Sequence, residues 1–339
     1  MSTNNLRVAV VGAGMMGADH IARFSSTING ADVVAVVEPD AARAAAAVSG
    51  LPGATTRSRI EDALAHDELD AVLIATPGPF HEAVLLPALE AGVNILCEKP
   101  LTPDSESSLR ILEAEQKLAR PHIQLGFMRR FDAEYIALRE LIASGDAGGL
   151  MMLHCAHRNP ATGEGYTDPM LITDSVVHEI DTIPWLVGEP IASVEVRKGR
   201  RNSLAPAWLH DPQLVLFEME TGVLADVEIN VNVQFGYQVT TEAVFERGIA
   251  EIGKTAGLIR WQDARWGGTE HVTFKTRFAA AYDAQVQRWV DAARAGTIDG
   301  PSAWDGYLAA SVSEAAVEAQ STGQRVDVNY ATAKPAFYN

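Results

Sequence analysis

The feature that most constrains this chain comes at its start. Leu6–Val11 reads LRVAVV, an apolar run broken once by Arg7, as expected of a strand buried on both faces of a parallel sheet. It runs directly into GAGMMG. In this turn Gly12 permits the tight bend, Gly14 lets backbone approach a pyrophosphate, and Gly17 lets the following helix pack close to the sheet. A helical pattern over 18–24 follows, then a second apolar run over 33–37 that ends in Glu38. Strand, glycine turn, helix and strand in this order predict a dinucleotide-binding unit. The turn amides and the helix dipole would hold the phosphates, and Met15 and Met16 within the turn are counted with Gly12, Gly14 and Gly17 as cofactor contacts. Glu38 lies where this fold places the acid that bonds the adenosine ribose hydroxyls, so NAD is expected over NADP, whose extra phosphate a carboxylate would repel. Arg43 is expected on the solvated face of the helix AARAAAAV.

The alternation continues with a helix over 60–66, a strand over 71–75, the turn TPGPF, a helix over 81–91 and a strand over 93–97. This is the pattern of a doubly wound parallel sheet, whose ligand lies beyond the carboxyl ends of the strands. Thr76, Pro77 and His81 follow one such end, where turn chemistry or a helix start would also account for them. Glu98, Lys99 and Pro100 follow the next, and a lysine there points at the nicotinamide end of a dinucleotide.

Further on, ITDSVVHEID at 172–181 places Asp174, His178 and Asp181 at helical spacing among apolar residues. Thr173 or Asp174 would cap the helix. Asp174 and His178 are four apart, one turn above each other, and a carboxylate beside an imidazole can fix its tautomer and stabilise its charged form. Pro184 falls inside the same helix, so any kink is expected after His178.

The glycine fingerprint, the EKP triplet and D-x-x-x-H, in this order and spacing, resemble the Gfo/Idh/MocA family of sugar and cyclitol oxidoreductases. The runs GFMRRFD, HRNP and DSVVHEID extend the likeness over nearly the whole chain. The resemblance implies an NAD-dependent dehydrogenase in which His178 is the base, Asp174 orients it and Lys99 hydrogen-bonds the reacting oxygen. Met128, Arg129, His157, Asn159, Ser175, Asp181, Tyr237 and Tyr282 match family positions that contact substrate, while Arg130 is expected in solvent. The implied substrate is a cyclitol, myo-inositol first, oxidised at a ring secondary alcohol. An aldose, another inositol isomer or an aminocyclitol is the alternative, and a non-catalytic nucleotide-binding sensor is the reading from a different class.

In the second half, a helix is expected from Thr102-Pro103 to about 119, a strand over 122–126, and a helix over 133–144 stopped by Gly145. Strand patterns then succeed one another at 150–157, 194–198, 213–219, 222–233, 238–246 and 250–253, with short turns between several of them. That predicts a large, mainly antiparallel sheet covered on one face by helices, hence an α/β domain at 1–127 followed by an α+β domain at 128–339. Helices over 282–295 and 303–322 close the chain and are expected to return toward the first domain. The family resemblance implies a homotetramer built through this sheet.

With 339 residues, 47% of them hydrophobic, the chain can fill two cores. Its 27 basic against 44 acidic residues give a net charge of −17, which disfavours nucleic acid and anionic membrane surfaces as partners. Cys97 and Cys155 are the two cysteines and show no metal-ligand spacing, nor do His154 and His157 with no third ligand nearby, so no metal is expected. The polar head MSTNN reads as no signal peptide, and a cytoplasmic protein is expected.

Overall fold

The computed structural model describes residues 5–254 and 257–338, so the polar head at 1–4 lies outside the described residues. In chain order the first half comprises β1 (Leu6–Val11), α1 (Met15–Ser26), β2 (Ala31–Val37), α2 (Ala41–Val48), β3 (Thr55–Arg57), α3 (Ile60–His66), β4 (Ala71–Ile74), α4 (His81–Glu90), β5 (Asn94–Cys97), α5 (Ser105–Glu115) and β6 (Ile123–Leu125). The six strands form one sheet in the order β3-β2-β1-β4-β5-β6. Every pair is parallel, as expected from the apolar runs of β1, β2, β4 and β5; the edge strand β3, TTR, has no such run.

The second half comprises α6 (Ala133–Ser144), β7 (Leu150–Arg158), α7 (Asp168–Met170), a π-helical segment Leu171–Val176, α8 (Val177–Val187), β8 (Ile191–Lys198), β9 (Gln213–Met219), β10 (Leu224–Asn230), β11 (Gln238–Phe245) and β12 (Gly248–Ile252). The small hairpin β13 (Arg260–Gln262) and β14 (Arg265–Gly267) follows, then α9 (Phe274–Arg277), α10 (Ala279–Ala295), α11 (Ala303–Thr322) and β15 (Val326–Asp327). Seven strands make the second sheet, ordered β12-β11-β7-β10-β9-β8-β15. All its pairs are antiparallel but one: β10 runs parallel to β7.

The chain divides into two compact units, one of residues 1–128, 282–310 and 332–339 and the other of residues 129–281 and 311–331. In the first unit, α10 supplies Val286, Trp289 and Val290 to a core that also contains Val8, Val10, Ile21, Phe24, Val36, Leu73 and Leu96. In the second, Val215, Phe217, Val227, Ile229, Val239 and Ala243 on the sheet are buried, together with Ile172, Val176, Ile180 and Ile183 on the helix.

Two helices are not capped by the residues expected to cap them. Thr102 does not cap α5; its hydroxyl lies 2.6 Å from Ser108 Oγ and donates to Asp104 O at 3.1 Å. Asp104 is the cap, accepting from Ser107 N at 2.7 Å, so α5 begins two residues beyond Pro103. It also ends early, at Glu115, where Leu118 N bonds Glu115 O and tightens the chain into a turn. The active-site helix likewise starts before Thr173 and Asp174, at Asp168, with Pro169 in its first turn. Thr173 Oγ1 donates to Pro169 O at 3.2 Å, the back-bond of a helix-interior threonine. Pro184 lies within α8 as expected, but the helix is also irregular on the Asp174 side, where the π segment widens its turns.

Candidate active site

In the first unit the glycine turn is built by close backbone approach. Gly12 adopts φ 88°. A Cβ on Gly17 would stand 1.9 Å from Gly12 O, so α1 can start this close to β1 only with glycine there. Around Gly14, which caps α1, a Cβ would meet no atom within 4 Å. That open cradle of backbone at a helix start fits a dinucleotide pyrophosphate. Met15 beside it is 62% exposed, whereas Met16 is half-buried.

Glu38, at the end of β2, is buried and turned toward the same turn. Its Oε2 accepts from Ala13 N at 3.0 Å and its Oε1 from Asp40 N at 3.1 Å. Arg43 is exposed on α2, as expected, and its Nε also reaches Glu38 Oε2 at 3.2 Å.

At the ends of β4 and β5 the remaining candidates are tied together. His81, buried, places Nδ1 2.7 Å from Pro100 O and Nε2 2.8 Å from Thr76 O, which links the turn after β4 to the EKP triplet. Thr76 Oγ1 is buried with no hydrogen-bond partner, and Pro77 beside it is exposed. Glu98 Oε1 bonds His20 Nε2 at 2.7 Å within the unit, and Lys99 is half-buried. Tyr282, in the first turn of α10, packs edge-on against His20 and beneath the Arg23 guanidinium, 5.1 Å from its ring centre.

In the second unit, Asp174 is exposed on the π segment and His178 half-buried on α8. His157 on β7 approaches His178 with ring centroids 6.3 Å apart and meets Tyr237 edge-on at 6.0 Å. Burial pushes the Tyr237 hydroxyl up to about 12 against the pull of Arg129, so it stays a donor at neutral pH. Ser175 is held by Tyr166, their hydroxyls 2.8 Å apart. Asn159 pairs its backbone with Asn230 and Val233, while its side-chain Oδ1 is buried with no hydrogen-bond partner. Met128 is buried at the end of the first unit.

Two arginines have local partners that the sequence does not announce. Arg130 is not in solvent: it forks onto Asp181, with Nε to Oδ2 at 3.0 Å and Nη2 to Oδ1 at 2.6 Å, and lies over Trp185. The planar guanidinium matches the carboxylate, and the pair shields the Asp181 stripe position. Arg129 is fully buried and ion-paired through Nη1 with Glu179, a residue not expected at the site. Glu179 is itself buried and lies 3.1 Å from His157 Nδ1. Burial alone would raise its carboxyl, but Arg129 and then His157 hold it down at about 2. One signal could have found it. Glu179 stands on the apolar stripe shared with Ile172, Ile183 and Leu186, and a charge on such a stripe must find a buried partner.

The thiols offer no competing chemistry. Burial and, second, Glu98 raise Cys97 well above the ordinary thiol range, and burial pushes Cys155 up to about 12. Among the described residues no cluster of His, Cys, Asp or Glu could hold a metal. His154, on β7, pairs instead with Asp226 on β10.

A glycine-turn parallel sheet in one unit and a histidine-bearing helix packed with a mainly antiparallel sheet in the other define an NAD-binding oxidoreductase. The family models agree: one for the oxidoreductase family with an NAD-binding Rossmann fold matches residues 6–127, and one for the GFO/IDH/MocA C-terminal domain matches residues 135–251. The chain belongs to the Gfo/Idh/MocA family. It is 61% identical over 337 residues to an inositol 2-dehydrogenase of Corynebacterium glutamicum, covering 99% of both chains. It is also 61% identical over 339 residues to an inositol 2-dehydrogenase of Leifsonia xyli, again over 99% of both. Among solved structures, myo-inositol dehydrogenase from Lactobacillus casei in complex with NAD(H) and myo-inositol superposes with a TM-score of 0.95 at 34% identity, over 99% of this chain and 100% of that one.

Proposed function

We propose that this protein oxidises myo-inositol at a ring secondary alcohol with NAD, giving a keto-inositol and NADH. The observation that carries the reading is the 61% identity to inositol 2-dehydrogenases over 99% of both chains. That identity runs the length of the chain, through the unit with the glycine turn and the unit that carries His178 alike. Lys99, Asp174 and His178 are all present, whereas a nucleotide sensor needs neither a base nor an electrophile.

When bound, NAD supplies the hydride acceptor. The residues present fit it: the open backbone at Gly14 suits a pyrophosphate, Thr76 Oγ1 is a buried polar atom without a partner, and Glu38 offers a carboxylate to ribose hydroxyls. That carboxylate supports NAD over NADP. Thr76, Pro77, His81 and Glu98 frame the nicotinamide side in this reading.

His178 takes the hydroxyl proton and Asp174 orients the imidazole and stabilises its charged form. Lys99 donates a hydrogen bond to the reacting oxygen and favours the developing alkoxide. The other ring hydroxyls are read by His157, Asn159, Ser175, Tyr237 and Tyr282, with Met128, Arg129 and Asp181 completing or supporting these contacts. The buried, unpartnered Oδ1 of Asn159 supports its part, since a polar substrate group would satisfy it.

Association through the open face of the second sheet is part of the same reading. Leu214, Leu216, Leu224 and Ile249 are exposed on one face of β9, β10 and β12, more apolar surface than a lone sheet usually leaves in water. A homotetramer would cover it. Both cysteines are buried free thiols, which supports a reducing, cytoplasmic setting, and no described helix is long and apolar enough to cross a membrane.

The decisive experiment is initial-rate NADH formation with NAD or NADP across myo-inositol, scyllo-inositol, D-chiro-inositol, glucose and xylose. Preference for myo-inositol with NAD is expected. Turnover of an aldose alone, or none despite bound NAD, would overturn the substrate assignment.

A further inference from the structure

We propose that Glu179 is a positioning residue: it keeps the proton of His157 on Nδ1, and so makes His157 Nε2 a hydrogen-bond acceptor for a substrate hydroxyl. The inference deepens the cyclitol reading above and rests on it for the identity of the hydroxyl's owner.

The geometry poses a definite choice. His157 Nδ1 lies 3.1 Å from Glu179 Oε2 and 3.1 Å from Arg129 Nη2. One neighbour can only accept and the other can only donate, because an ionised carboxylate has no hydrogen and a guanidinium has no free lone pair. A nitrogen between them must side with one. All three side chains are buried, Arg129 at 0%, Glu179 at 1% and His157 at 3% exposure, so water cannot make up for the bond that is lost.

The carboxylate has the stronger claim. If Nδ1 carried a lone pair, it would face Oε2, a charged oxygen, across 3.1 Å with little dielectric screening. Oε2 would then lack a donor, since Arg129 Nη1 serves the other oxygen, Oε1. With the proton on Nδ1, Oε2 receives a charge-assisted bond. Arg129 loses less, because its charge is spread over five N–H groups and its Nη1 keeps Glu179 Oε1.

The consequence is one of specificity. A ring nitrogen held as an acceptor reads a hydroxyl through its hydrogen, and an analogue lacking that hydroxyl leaves the nitrogen unmet. The arrangement also places the device one residue from His178, so α8 carries the proposed base and the residue that sets its neighbour's tautomer on a single rigid turn.

The test uses the full-length protein with NAD bound. In the wild-type protein labelled with 15N-histidine, the His157 signals, assigned by their loss in H157Q, are expected to show a protonated, pyrrole-type Nδ1 and a pyridine-type Nε2; a proton on Nε2, whether or not Nδ1 also carries one, overturns the proposal. Glu179→Gln preserves shape, but its amide can donate to Nδ1 and reverse the tautomer. It is expected to raise KM for myo-inositol about tenfold while Kd for NAD stays within about twofold. An unchanged KM overturns the proposal, as does a KM rise accompanied by equal loss of NAD affinity and thermal stability, which would make Glu179 a packing brace only. Should the variant not fold, the wild-type spectrum decides alone. If the wild-type protein turns over no cyclitol, the substrate reading fails, and the spectrum still settles whether Glu179 sets the tautomer.

Discussion

Glu38 Oε2 accepts the backbone N–H of Ala13 at 3.0 Å, so the acid that ends β2 also braces the glycine turn that ends β1. One carboxylate thus serves both the shape of the turn and, in the proposed function, recognition of the ribose. The two roles separate in a substitution. Glu38→Ser is expected to lower kcat/KM for NAD at least about tenfold and to narrow the preference over NADP, with a smaller fall in Tm. An unchanged ratio of NAD to NADP efficiency would place the ribose contact elsewhere.

Gly17 allows no such separation. A Cβ there would meet Gly12 O at 1.9 Å and Gly12 C at 2.9 Å, both backbone atoms of the turn itself. Gly17→Ala is expected to destabilise the first unit by about 1–3 kcal/mol or more and to weaken NAD binding, because relief requires α1 to move away from β1. Thermal melts with and without NAD read both effects. A variant that binds NAD normally would show that the turn relaxes cheaply.

For the proposed base, His178→Ala is expected to abolish turnover, by roughly 10²–10⁴-fold, while NAD binding persists. Asp174→Asn should depress kcat more than it weakens cofactor affinity. Loss of NAD binding in either variant would move that residue from chemistry to structure.

Glu115 gives a dependence on pH. It is buried at the end of α5, with Oε1 accepting from His122 N and Ile123 N and Oε2 bonded to Tyr338. Burial raises its carboxyl above the ordinary 4.5 despite those bonds. The folded state therefore holds this proton more tightly than the unfolded chain, and the group's contribution to stability declines as pH rises from about 4.5 through the folded value. Glu115→Gln can keep the three contacts without a charge. Its Tm relative to wild type should climb with pH over that range; a constant difference would show that the carboxyl is not the source.

Much of this architecture is legible in the sequence because it is local. The helices Ile60–His66, Ala133–Ser144 and Ala303–Thr322 and the strand Gln213–Met219 fall where periodicity and capping residues place them. The α5 start shows the limit of that logic: Thr102 and Asp104 can both cap, and the side chain of Thr102 is taken by Ser108, six residues on. Illegibility grows with sequence distance. Glu179 pairs with Arg129 across 50 positions, and Asp181 with Arg130 across 51, so two adjacent arginines that look alike in the sequence have partners only the tertiary fold assigns. The π segment is hidden for another reason: its residues, LITDSV, fit the helical spacing of the stretch and carry no mark that separates a wider turn from an ordinary one.

The position of Trp289 bears on the order in which this protein can become itself. Its indole is fully buried beside Val8, Val10, Leu73 and Leu96, residues synthesised between about 190 and 280 positions earlier. While the ribosome is still making the second sheet, the parallel sheet has its strands and its glycine turn, yet the apolar surface meant for Val286, Trp289 and Val290 is wet. A fragment stopped near residue 128 would carry that exposed surface permanently and would tend to self-associate. The nascent protein thus completes its first sheet's core only when the last fifth of the polypeptide emerges, and until then that surface is one a chaperone would cover.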